Sequence, residues 1–224
     1  MSRLRGHSLS VFFGAIFLVA LMGQSIAGLA EYNEDQIAHG QAAVGYGAFI
    51  TSSAFVVDVA ENWQSEFLQF FLFILATVWL VQKGSSESKK QGDEGVGTDK
   101  EQLVGEHARP DSPRWAKVRG WRLALYSNSL LIVMGAIFLL SWFTQSVAGQ
   151  AVYNHDQTEH GQDPVDWLGY AASADFWNRT LQNWQSEFLA VGSMVAFSIF
   201  LRQRGSSESK PVGIPHHVAS VESE

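Results

Sequence analysis

Two carboxylates, Glu66 and Glu187, sit in one seven-residue setting used twice, Asn-Trp-Gln-Ser-Glu-Phe-Leu at 62–68 and again at 183–189. Each precedes an apolar run. A carboxyl group at the edge of an apolar medium holds a cation when a nearby positive charge favours its anion, and holds a proton when burial disfavours it. A second matched set runs Tyr32-Asn33-Glu34-Asp35-Gln36-Ile37-Ala38-His39-Gly40-Gln41 and Tyr153-Asn154-His155-Asp156-Gln157-Thr158-Glu159-His160-Gly161-Gln162. Imidazoles beside carboxylates can ligate an ion or move a proton, so His39 and His160 join Glu66 and Glu187 as candidate site residues. Gln24 and Gln145, near the ends of the preceding apolar runs, complete the set as candidate partners of the glutamates.

A structural role competes at every one of these positions. The loop residues can close the end of a helix and hold a tight return, with Gly supplying a positive φ. The histidines lack compact metal-ligand spacing, which favours that role for them. The glutamates can serve as clamps between helices. No P-loop, dinucleotide fingerprint, nucleophile elbow or zincin motif is present, and the absence of cysteine excludes disulfide scaffolds, thiolate metal sites and cysteine nucleophiles. The expectation is therefore no enzyme, no cofactor, no metal and no catalytic residue.

The elements that must position these groups are apolar and long. Four blocks without Lys or Arg lie at about 9–30, 67–81, 130–151 and 188–201. About 20 apolar helical residues cross a hydrocarbon core of about 30 Å. The first and third blocks reach that length alone; the second and fourth reach it when the preceding Trp-containing stretches lie at the boundary, which Trp prefers. The reading is an all-α membrane protein of four transmembrane helices, at about 9–30, 63–82, 129–151 and 184–203. Trp63, Trp184, Trp115 and Trp121 are its interfacial anchors.

Sliding the chain against itself aligns Gln24 with Gln145, Trp63 with Trp184 and Gly84 with Gly205, always 121 positions apart and without a gap. Each copy holds two spans, an even number, so the copies enter the bilayer in the same sense and form parallel repeats about an axis along the membrane normal. The expected organisation is a membrane repeat at 1–89, a disordered linker at 90–113 whose polar composition cannot bury a core, a second membrane repeat at 114–210, and a flexible tail at 211–224. The amino-terminal run imitates a secretory signal, but its copy at mid-chain cannot be one, so a retained first helix is expected.

Charge orients this arrangement. Fourteen of the fifteen Lys and Arg residues precede the first block, lie between Lys83 and Arg122, or follow the last block, whereas the segments 31–66 and 152–187 carry six acidic residues each and only Arg179 as a base. The positive-inside rule puts both termini and the linker in the cytoplasm. The basic and aromatic stretch at 114–122 reads as an anchor against anionic lipid and not as a nucleic-acid site.

Ser52 and Ser173 are expected helix caps, each followed by one continuous helix that begins as an amphipathic segment and runs into the second or fourth span. Phe55, Val59, Trp63 and Phe67 recur on one helical face. Ala20, Gly23 and Ala27 match Ser141, Thr144 and Ala148, a stripe of small residues expected to be a helix-packing seam.

The stretch Gly-Gln-Ser-Ile-Ala-Gly at 23–28, Tyr32-Asn33, His39-Gly40, the Asn-Trp-Gln-Ser-Glu-Phe-Leu signature and the closing Gly-Ser-Ser-Glu-Ser-Lys at 84–89 together resemble a bacterial family of integral membrane proteins of unknown function. The resemblance implies a multi-pass protein of the bacterial inner membrane and carries no activity, substrate or catalytic residue. The expected function is that of a structural or partner-binding membrane component, its partners being the lipid bilayer and a second copy or another membrane protein. The rival is a small cation or proton transporter or channel, or a ligand sensor, using the paired glutamates.

Overall fold

The structure is a computed structural model that describes residues 6–219; Arg3 and Arg5, and the last five residues of the expected tail, lie outside them. Among the described residues the chain forms seven α-helices and no strand. They are α1 (Ser8–Ala38), α2 (Tyr46–Ile50), α3 (Ser53–Trp79), α4 (Trp121–Ser127), α5 (Ser129–Glu159), α6 (Trp167–Ala171) and α7 (Ala174–Phe200), with short 3-10 turns at Gly105–His107 and Arg114–Lys117. The helices α5, α6 and α7 have the lengths of α1, α2 and α3, namely 31, 5 and 27 residues.

Two helices, α1 and α5, are long and apolar enough to cross a membrane. At 31 residues α1 extends roughly 46 Å, well beyond a core of about 30 Å. Its helix therefore outlasts the apolar run by two turns, because residues 31–38 contain no Gly or Pro to stop it. The helices α3 and α7 lack an uninterrupted apolar stretch of membrane-crossing length, since polar residues are spread through the first two-thirds, Asp58, Glu61, Asn62, Gln64, Glu66 and Gln69 in α3.

Each of α3 and α7 is one unbroken helix. Ser173 caps α7, its side chain accepting from Phe176 N at 3.2 Å, and Ser52 Oγ accepts from Phe55 N at 3.3 Å at the start of α3. The buried face of α3 is Val57, Ala60, Gln64, Ser65 and Leu68. The aromatic stripe lies beside this face instead of on it: Phe55, Val59 and Phe67 are half-buried and Trp63 is exposed. In α7 the same stripe is buried at Phe176 and Thr180 and exposed again at Phe188.

Residues 80–120 contain no α-helix. Short-range polar bonds hold this stretch in turns, as where Thr98 N donates to Glu101 Oε2 at 2.7 Å, and Gly95 N ties it back to the end of α3 through Val78 O at 2.7 Å. The helix α4 then carries Trp121, 69% exposed, with the Arg122 guanidinium 5.5 Å from its ring centre. The chain divides into two compact units, one of Met1–Ala60 with Thr144–Ala171 and the other of Glu61–Phe143 with Ala172–Glu224.

Candidate functional site

In the first unit the two matched loops are built alike. The helix α1 ends at Ala38; Gly40 takes φ 73°, and Gly40 N and Gln41 N donate to Ile37 O and Gln36 O at 3.0 and 2.7 Å. After α5, Gly161 takes φ 69°, with Gly161 N and Gln162 N donating to Thr158 O and Gln157 O at 3.1 and 2.8 Å. These are two Schellman endings, in which a left-handed Gly lets the chain satisfy the last carbonyls of the helix.

His39 and His160 belong to those endings. His39 Nδ1 lies 3.0 Å from Asp35 O and 3.3 Å from Asp35 Oδ1, and His160 Nδ1 lies 2.7 Å from Asp156 O. The Asp35 carbonyl, then the carboxylates of Asp35 and Glu159, raise the proton affinity of the exposed His39 ring above its usual range. Gln41 Nε2 also donates to Glu159 Oε1 at 2.6 Å. Among the described residues no three of His, Asp and Glu converge to hold a metal.

The loop beyond each Gly is clamped by an asparagine. Asn33 accepts from Val44 N at 2.7 Å and donates to Val44 O at 3.0 Å. Asn154 does the same with Val165, at 2.8 and 2.9 Å. The short helix that follows is pinned to the preceding long one: Ser25 Oγ meets Tyr46 Oη at 2.8 Å, and Trp167 Nε1 donates to Ser146 Oγ at 3.0 Å. Gly28 and Gly149 leave room for the rings of Phe49 and Tyr170, a Cβ on Gly149 falling 2.3 Å from the Tyr170 hydroxyl. Sequence reasoning singled out the histidines and missed Ser25, Ser146, Gly28 and Gly149; their recurrence within the 23–28 and 144–149 blocks was the available signal.

The stripe of small residues is partly buried in the second copy and bare in the first. Ser141 and Ala148 are buried, whereas Thr144, Ala20, Gly23 and Ala27 are exposed and a Cβ on Gly23 would meet nothing within 4 Å. Gln145 is fully buried, while its counterpart Gln24 is exposed.

In the second unit the first copy of the signature divides its residues between inside and outside: Gln64 and Ser65 are buried, Trp63 and Glu66 exposed. In the second copy Gln185 and Ser186 are exposed, and Trp184 and Glu187 half-buried. Trp184 Nε1 donates to Gln64 Oε1 at 2.7 Å, so the two signatures meet through Trp184 and Gln64. Glu66 lies within electrostatic range of Glu187, which makes the equivalent Glu of the other copy the neighbour that acts on Glu187. Arg179 pairs with Glu61 at 3.2 Å and Asp175 at 3.5 Å. Trp142 is ringed by Phe138, Phe176, Trp177 and Trp184, at 5.7 to 6.0 Å between ring centres. Of the tryptophans expected as anchors, Trp115 is exposed and Trp184 is half-buried.

The same unit folds both Gly-Ser-Ser-Glu-Ser-Lys stretches into one kind of turn. Gly84 and Gly205 each take φ 83°. Ser88 Oγ accepts from Gln82 N and Ser209 Oγ from Gln203 N, at 2.7 and 2.8 Å. Ser85 Oγ accepts from Glu87 N and Ser206 Oγ from Glu208 N, at 3.1 and 3.2 Å. The two turns touch, Ser86 Oγ donating to Glu208 O at 3.2 Å, and the buried Ser85 bonds Ser198 Oγ at 2.9 Å.

Lys210 is fully buried, its ammonium donating to the carbonyls of Gly84, Pro215, His216 and Val218. Burial, and then the charge of Arg202, lower its proton affinity. Composition alone hid these turns, because a polar Gly-Ser stretch looks unstructured unless its serines are counted as caps.

Against known proteins, a family model described as Domain of unknown function (DUF6766) matches residues 1–221, and the chain belongs to that family. No curated protein and no solved structure is significantly similar to it.

Proposed function

We propose that this member of the family is a multi-pass protein of the bacterial inner membrane. In this reading α1, α3, α5 and α7 all cross the bilayer as two parallel repeats, with both termini and the linker cytoplasmic, and the protein acts as a structural or partner-binding component. The observation that carries it is the surface of α1. Phe12, Phe13, Leu18, Val19, Met22 and Ile26 are each more than half exposed, and only 6% of the most apolar window of that helix is buried. Such a surface is costly in water and stable in lipid. Leu189, Phe197 and Phe200 of α7, and Phe70 and Trp79 of α3, present apolar surface in the same way. The duplicated helix lengths support the repeat.

A partner-binding role fits the bare seam at Ala20, Gly23 and Ala27, where a further helix can approach closely. The second reading, a cation or proton path, draws on the proximity of Glu66 and Glu187, since paired carboxylates near a membrane are functional candidates by default. Native mass spectrometry of the detergent-purified protein, beside Glu66→Gln combined with Glu187→Gln, separates the two. A structural or partner-binding component keeps the same bound species and the same assembly in the double variant. An ion or small molecule lost from the variant overturns this assignment and favours the path.

A further inference from the structure

Within the second unit a cavity of about 290 Å³ is lined by Gln69, Phe70 and Phe73 of α3, Ala190, Val191 and Met194 of α7, and Glu87. The helix residues are three equivalent pairs, each 121 positions apart. Five of the seven lining residues are apolar, and one is a carboxylate. Small-molecule sites start at roughly 300 Å³ and combine apolar walls with a few placed polar groups, so the cavity suits a ligand of a dozen or so heavy atoms.

Glu87 is brought there by the turn that Gly84 initiates, and its backbone is fixed by Ser85. Its carboxylate accepts from Ser86 Oγ at 3.3 Å. Lys89, Arg202 and Lys210, which flank the two turns in sequence, are engaged elsewhere. Lys89 Nζ donates to Gly95 O. Lys210 is caged by four carbonyls. Arg202 caps the end of α7 through Ser198, Ile199 and Leu201, and reaches Ile214 O and His216. The other charge acting on Glu87 is that of Glu208, which together with burial raises its proton affinity. A half-buried carboxylate facing like charge at an apolar cavity is complementary to a cation brought from outside.

We propose that this cavity binds a hydrophobic ammonium ion, its positive head at Glu87 and its apolar body against Phe70, Phe73 and Met194. A metal ion does not fit these walls, which supply one carboxylate and one amide. An ammonium with apolar substituents gains from the ring faces as well as from the charge. It can come free in solution or as the head of an aminophospholipid; the chemistry at Glu87 is shared.

The test uses radiolabelled benzyltrimethylammonium, whose charge does not titrate, and the full chain purified in detergent. Saturable binding at pH 8 is expected, weakened about tenfold or more in Glu87→Gln, with unlabelled neopentylbenzene, the same shape without charge, competing poorly. Equal binding by Glu87→Gln, or none by the unaltered protein, overturns the proposal. Glu208→Gln gives an independent check should the first variant fold poorly. Removing that charge lets Glu87 ionise at lower pH, so the midpoint below which binding is lost moves down; an unmoved midpoint contradicts the proposal. Displacement by phosphatidylethanolamine but not phosphatidylglycerol assigns the site to a lipid head, and no displacement by either assigns it to a free cation.

Discussion

Gly149 and Gly23 show how one residue type does opposite work in one helix pattern. A methyl group on Gly149 collides with Tyr170, which has no exposed surface and no room to retreat. Gly149→Ala is expected to cost about 1–3 kcal/mol by overpacking, read as a fall in thermal midpoint in detergent. Gly23→Ala meets nothing and should stabilise α1 by roughly 0.5–1 kcal/mol unless a partner helix covers that face, in which case association weakens instead. The histidines make a second residue-scale prediction. Because the Asp35 carbonyl and the nearby carboxylates raise the proton affinity of His39, its titration by NMR should have a midpoint above about 6.5. The stabilisation from the charged ring is complete below that ordinary value and is lost as pH rises through the folded midpoint. Asp35→Asn, which keeps the carbonyl and removes the carboxylate, should lower the midpoint; an unchanged midpoint would show that the Asp35 carboxylate does not act on the ring. The sequence made the histidines conspicuous because their type suggests chemistry. Their place at a Schellman ending was equally visible in the Gly that follows each one.

At the scale of the element, the long helices were readable from their apolar runs and the caps from Ser52 and Ser173, because those features depend on local chemistry. What escaped the sequence depends on contacts across distance. The asparagine clamp joins residues 11 positions apart, and the buried face of α3 is set by what lies against it, so helical periodicity pointed to the aromatic stripe one step round. Asn154→Ala frees the Val165 amide, while the Val165 carbonyl still accepts from Gln150 Nε2 at 2.9 Å, and should destabilise its loop by about 1–3 kcal/mol, with faster hydrogen exchange at the Val165 amide as the readout. Unaltered exchange would remove the clamp. The carboxy-terminal strap is held in the same way by Lys210, so Lys210→Met should raise exchange at the Ile214 and Val218 amides while leaving α1 and α5 unchanged. Both turn motifs use Ser as a backbone cap, a role indifferent to hydropathy and therefore silent in an apolar-pattern reading.

For the whole molecule, the recurrence of helix lengths at 31, 5 and 27 residues follows from a repeat that the sequence displays without a gap. The apolar surface of α1 and α5 is largely uncovered, which is what supports the membrane residence proposed above. The two copies are not copies in packing: Gln145 is buried and Gln24 exposed, and the aromatic cluster around Trp142 has Leu21 at the equivalent position of the first copy. The crossing of α3 is the point on which the four-span account turns, since its first half is polar. The chain contains no cysteine, so single cysteines at Gln41, Gln91 and Gln162 can be labelled in intact cells with an impermeant maleimide. Four spans predict labelling at Gln41 and Gln162 from outside, with Gln91 labelled only after the membrane is opened. Labelling of Gln41 and Gln91 from the same side would contradict the account, leaving α1 and α5 as the helices that cross.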